Sequence, residues 1–377
     1  MPSLRADVTR LRSQARETPH GPAQIAVLEE ATALADRSGD EELATDVRLQ
    51  LSEATMFGGA PDRSIATFAW LLAALDRDPA GRRSWAIIWQ YKWAISNLVD
   101  FAEIPLAQIR AAIDDFEARA RRLGGGHRAA LKMRAALARD IGDTAGLRDG
   151  FTAWQQSPRD NLTDCSACDR HAAVEHQLAL GRPARALREA QPIIDGKSRC
   201  AEVPHETFPL LLAPLREAGE AELADQLAKR GYELVKGNPE FLVSVGRLLG
   251  DRADTLALGR AWDMFERHLP WLVEQRAGRR QLLFLLDARR FLATYAAIGG
   301  EDDAPVRVPA GFLGPEPGRP AIREVTVEVD RRLDALVPAF DRRNGTDLYA
   351  ATRAQIPGRA ATAAAAGRAQ DPARDPS

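Results

Sequence analysis

Apolar residues recur along most of this chain at steps of three and four, and glycines break the runs at nearly regular intervals. That spacing places one apolar stripe along a helix and leaves little of the strict alternation that a half-buried strand needs. Gly142, Gly181 and Gly219 stand 39 and 38 residues apart, and Gly250 follows after 31, about one pair of helices per interval. Four turns carry a small residue five positions after the glycine: Gly59/Ser64, Gly181/Ala186, Gly219/Ala224 and Gly250/Thr255. Gly142 opens a similar turn but meets Leu147. A glycine can adopt the left-handed conformation that stops one helix, and a small side chain lets the next lie close against it. The expectation is an all-α chain of consecutive helix hairpins, helical over 81–101, 167–180, 204–218 and 239–250 among other segments. The sole strand-like run is the short Val-Thr-Val-Glu-Val at 325–329.

The best copies of the turn are LGRPARAL at 180–187 and AGEAELAD at 218–225. There the chain resembles the tetratricopeptide repeat family, over about residues 23–298. The resemblance implies a right-handed superhelix of antiparallel helix hairpins, a tetratricopeptide-like solenoid. The family's Trp-Leu-Gly-Tyr pattern in the first helix is mostly missing and the period wanders, so the repeats are divergent. Around the array, 1–22 reads as an N-terminal segment and 301–320, with five prolines, as a linker. Residues 321–343 read as a further helix with Val327, Leu333, Leu336 and Val337 as its apolar positions, and 344–377 as a disordered tail.

Charge argues against nucleic acid as a partner: 51 basic residues stand against 53 acidic ones, with no basic excess to gather on one face. No window holds the roughly 18 apolar residues of a membrane span, and the N-terminus lacks a signal-peptide apolar stretch. A cytoplasmic location is therefore expected, and in a reducing compartment three cysteines point to metal rather than to a disulfide.

Those cysteines are Cys165, Cys168 and Cys200. The first two form a C-x2-C pair opening one hairpin; the third, with His205, forms a C-x4-H pair leading into the next. The offsets from 165 to 200 and from 168 to 205 are 35 and 37 residues, close to one repeat. In a stack of hairpins, groups one repeat apart become neighbours, and thiolate plus imidazole ligands suit Zn²⁺. A structural Cys3His zinc site of Cys165, Cys168, Cys200 and His205 is expected to clamp two repeats. His171 is a rival fourth ligand; His205 is preferred because Pro204, at a first-turn position, would hold it beside Cys200. Two blander readings stay open: three buried small hydrophobes, or a redox pair at Cys165 and Cys168. The segment also resembles a group of bacterial repeat proteins with the same cysteine signature, followed by Gly231-Tyr232-x-Leu234 and a later FERHLPW at 265–271. That resemblance brings no activity with it.

Nothing points to an enzyme. His171 and His176 are five apart, not at the one-turn spacing of a zinc peptidase, and phosphate-binding and nucleophile-elbow motifs are absent. Asp114-Asp115 and Asp302-Asp303 read as solvated. The most unusual helix is 84–100. Ile87, Ile88, Tyr91, Ala94, Ile95, Leu98 and Val99 share one face, and Trp85, Trp89 and Trp93 lie nearly opposite. Either both faces are core, or the tryptophans line a concave groove and anchor a protein or peptide segment. The expectation is a non-enzymatic binding scaffold; a peptide-responsive regulatory receptor and a thiol or zinc sensor are the alternatives.

Overall fold

The computed structural model describes residues 2–356. These form seventeen α-helices, and the described residues contain no strand, only two isolated bridges. The helices fall into two compact units, one of residues up to 182 with 237–240, the other of 183–236 and 241 onward.

The first unit runs through α1 (Pro2–Glu17), α2 (Pro22–Ser38), α3 (Glu41–Phe57), α4 (Pro61–Arg77) and α5 (Ser84–Leu98). It continues with α6 (Leu106–Arg121), α7 (His127–Asp140), α8 (Thr144–Gln156) and α9 (Ser166–Ala179). Each helix packs on the next in sequence. The odd-numbered ones also pack on one another, α1 on α3, α3 on α5, α5 on α7 and α7 on α9. This alternation puts the odd helices in one layer and gives them two buried sides. On α5, accordingly, Ile87, Ile88, Tyr91, Ala94 and Ile95, with Val99 at its C-cap, join Phe68, Ile113 and Phe116 in a single core. The packed helices begin within the segment 1–22: α1 buries Val8, Leu11 and Ala15.

The second unit holds α10 (Pro183–Ile194), α11 (Thr207–Glu217), α12 (Ala221–Val235), α13 (Leu242–Asp254) and α14 (Ala261–Glu274). It ends with α15 (Gly278–Ala297), α16 (Ile322–Asn344) and α17 (Leu348–Ala354). Here too α11 packs on α13 and α13 on α15, around Phe208, Phe265, Phe284 and Phe291.

The turn glycines behave as their spacing implied. Gly59, Gly142, Gly181 and Gly219 have φ of 78, 79, 66 and 82°, and the small residues Ser64, Ala186 and Ala224 are buried. Gly59 needs its missing side chain twice over, because a Cβ there would also lie 2.8 Å from Pro239 and Glu240. Gly250 is the exception. It lies inside α13, not in a turn, and serves the approach of α15, whose Asp287 carboxylate occupies the space of its absent Cβ.

Residues 301–320 pack as part of the second unit instead of spanning it. Val306, Val308 and Phe312 are buried, and Val308 exchanges both backbone hydrogen bonds with Gly318. Arg307 is tied to Glu266 on α14 through its amide and its guanidinium. Helix α16 matches the expected 321–343, but with Val325, Val329, Leu333 and Val337 inward; Val327 is 67% exposed. Of the expected tail, the part up to residue 356 includes α17, whose Tyr349 is buried and receives the Nε–H of Arg279. Residues 357–377 lie outside the described residues.

Candidate metal and partner-binding sites

Cys165 caps α9. Its backbone is extended (φ −63°, ψ 160°) and its sulfur accepts the amide of Cys168 at 3.4 Å. The two sulfurs lie within 4.8 Å of each other, Cys165 exposed and Cys168 half-buried, at a helix end whose partial positive charge favours thiolates. None of the three cysteines is in a disulfide, and the Cys165 and Cys168 sulfurs are close enough to share one metal ion.

The segment leading into the C-x2-C pair is held by charge. Lys92 on α5 donates to the Leu162 carbonyl at 2.8 Å and to Asp164 at 2.6 Å. Lys132 on α7 takes the other Asp164 oxygen at 2.7 Å and reaches Asp169 at 3.3 Å. Arg159 binds Asp169 at 2.6 Å, and Arg128 donates to the Trp154 and Ser157 carbonyls. Burial works to raise the Asp164 pKa, but Lys132 and Lys92 outweigh it and hold the carboxyl below its ordinary range. For Lys92 burial wins and the ammonium pKa falls; for Lys132 two carboxylates reverse the burial effect and it rises. Asp160 folds the loop itself, accepting the amides of Leu162 and Gly126.

Cys200 is half-buried in the second unit, its amide donating to the Val203 carbonyl at 2.9 Å. The Val203–Pro204 peptide is cis and α11 starts only at Thr207, so Pro204 does not occupy the helical first turn expected of it. The His205 ring lies parallel on Phe241, centroids 5.2 Å apart, with Nδ1 buried and without a hydrogen-bond partner. Burial lowers its pKa, against the pull of Cys200 and Glu206. An orphaned ring nitrogen is an atom a metal would satisfy. His171 is buried on α9, its Nε2 3.7 Å from Glu175.

The tryptophan stripe of α5 divides. Trp85 is 46% exposed and stacks on Trp89, centroids 5.2 Å apart and planes 22° from parallel. The Lys92 ammonium lies 3.5 Å from the Trp89 centroid, so Trp89 is covered by a cation and by Trp85. Trp93, half-buried, meets Phe57 edge-on at 5.1 Å, and Phe57 in turn meets His20 at 5.6 Å. Phe57 at the end of α3 and His20 in the turn between α1 and α2 extend the aromatic row, which no spacing within α5 could indicate.

Two more features escaped the sequence. His176 is fully buried between Phe151 and Trp154, neither ring nitrogen bonded, and burial, then Arg139, pushes its pKa down to about 3. Asp115 is paired, taking Arg119 at 2.7 Å and the Tyr91 hydroxyl at 3.0 Å, and Asp114 takes Arg134.

These features define an all-α protein of successively packed helices, with two thiols at the start of α9 and a Trp85–Trp89 stack whose outer ring is exposed. Compared with known proteins, the chain matches no family model and no curated relative. No helix among the described residues is long and apolar enough to cross a membrane.

Proposed function

We propose that this chain is a non-enzymatic scaffold, a right-handed superhelix of tetratricopeptide-like hairpins that holds a protein or peptide segment. The observation that carries the reading is the Trp85–Trp89 stack, with Trp85 46% exposed on a helix whose opposite face is core. A large, rigid aromatic surface beside polar groups is the composition of a binding hot spot. Trp93 and Phe57 continue the same surface. The test is to isolate a partner by affinity capture, then titrate it, purified, against wild type and Trp85→Ala. The variant should bind roughly tenfold or more weakly. Equal affinities would remove the stripe from the binding site.

The same scaffold carries a structural zinc ion held by Cys165, Cys168 and Cys200, with His205 as the fourth ligand. The donor set supports this reading: soft thiols, two of them at a helix N-terminus, and an imidazole with an unpartnered Nδ1. Purified protein should carry about one zinc per chain, and Cys168→Ser should lower both zinc content and melting temperature. Metal-free wild-type protein that melts where the zinc-loaded protein does would end the zinc reading and leave the scaffold reading standing.

A further inference from the structure

Cys165 is the N-cap of α9 and Cys168 its third residue, one turn further on. An N-cap side chain folds back over the amide of the third residue, and here the Cys165 sulfur takes the Cys168 N–H at 3.4 Å. That contact directs Cys165 toward Cys168 and leaves the two sulfurs within 4.8 Å of each other. A disulfide needs its sulfurs about 2.05 Å apart and its Cα atoms roughly 4.4–6.8 Å apart. Three residues along a helical turn span about 5 Å between Cα atoms, so the sulfurs can meet by rotation of the side chains alone.

The backbone on both sides of the pair is anchored within the first unit. Asp164, just before it, is held by Lys92 at 2.6 Å and by Lys132 at 2.7 Å. Asp169, just after it, is held by Arg159 at 2.6 Å and by Lys132 at 3.3 Å. The Asp169 amide closes the turn on the Cys165 carbonyl at 3.0 Å, and the Lys132 ammonium lies 3.5 Å from the Cys168 carbonyl. The pair is thus kept at close range by groups other than the sulfurs. Cys165 is exposed and Cys168 half-buried, which orders access: a soluble reagent meets the outer sulfur first.

We propose that Cys165 and Cys168 are a thiol–disulfide exchange pair, oxidised reversibly by the disulfide of a small thiol such as glutathione. The Cys165 thiolate attacks one sulfur of that disulfide, forming a mixed disulfide and releasing one small thiolate. The Cys168 thiolate then attacks the Cys165 sulfur, closing the bridge and releasing the second. Two protein thiols are oxidised, one small disulfide is reduced to two thiols, and the protons of the two cysteines end on the released thiolates. A small thiolate attacking the bridge runs the sequence backward. The exchange does not rest on the zinc reading: it belongs to the metal-free chain, and zinc on the same sulfurs would compete with it.

The full chain, stripped of metal with a chelator, is equilibrated in millimolar glutathione kept about nine-tenths reduced. It is then quenched with acid, alkylated and mapped by mass spectrometry. Most chains should carry a Cys165–Cys168 bridge that dithiothreitol reopens, and Cys200→Ser should change nothing. Cys168→Ser should stop at a glutathione mixed disulfide on Cys165. Cys165→Ser, which keeps a good N-cap, should react at Cys168 at least about tenfold more slowly than that. The chain unfolded in urea should need at least about tenfold more glutathione disulfide for the same bridging, because nothing then holds the sulfurs together. A pair that stays reduced, a bridge to Cys200 instead, single variants of equal reactivity, or an unfolded chain that bridges as readily overturns the proposal. The zinc content of untreated protein, measured separately, decides the zinc reading without touching this one.

Discussion

Replacing Lys92 by methionine is expected to destabilise the first unit by about 3 kcal/mol, in the range measured when one partner of a buried ion pair is removed. The side chain is 6% exposed and makes three contacts that methionine cannot replace. The Leu162 carbonyl loses its 2.8 Å donor, Asp164 keeps Lys132 alone, and Trp89 loses the cation over its face. Asp164 carries the larger penalty, because its carboxylate is held ionised in a desolvated position by two cations and would have one. A shift of this size should appear as a fall in melting temperature on the order of 10 °C. Lys92→Met/Asp164→Asn should recover part of the loss, since the stranded charge goes with its partner. A single variant that melts within a degree or two of wild type would mean that solvent reaches Asp164 freely and that the loop before Cys165 is held by other means.

This network also marks where reading the sequence stops. Lys92 and Asp164 are 72 positions apart, and no local pattern ties a lysine on one helix to an aspartate two hairpins later. The turn glycines were legible because left-handed backbone is a local demand that favours one residue type. Gly250 was misread because the same residue answers a different demand, close approach of another helix, with no mark in the local sequence. Prolines hid the packed segment at 301–320: they are what a spacer and an irregular but buried connection have in common, and the decisive residues, Val306, Val308 and Phe312, are too few to form a period. On α5 the stripe of tryptophans was visible, but not that Lys92 would cover one face of Trp89 or that Phe57 would meet Trp93. The C-x2-C pair was legible as a helix N-terminus; the start of α11 at Thr207, past Pro204 and His205, was not.

Acid should unfold the first unit before the second. His176 is neutral in the folded state with its pKa lowered to about 3, whereas in the unfolded chain it titrates near its ordinary value of 6.5. The unfolded state therefore binds more protons below that value. The stability this histidine contributes is complete above about pH 6.5 and is lost as the pH falls toward 3, at about 1.4 kcal/mol per unit. At pH 5 the first unit should be weaker by roughly 2 kcal/mol from this group alone. In the second unit the signs oppose. His268, lowered by burial, acts like His176, but Asp287 is raised from 3.8 to about 6, so its folded form binds more protons and gains stability as the pH falls through that window. Amide hydrogen exchange at pH 5 and 7.5, corrected for intrinsic rates, should thus show protection lost in α7–α9 while α13–α15 holds. His176→Leu should flatten the response of the first unit, although it leaves every thiol in place, which separates this effect from acid release of a metal. Equal loss in both units, or an unchanged profile in His176→Leu, would show that the imidazole takes up its proton without leaving the core.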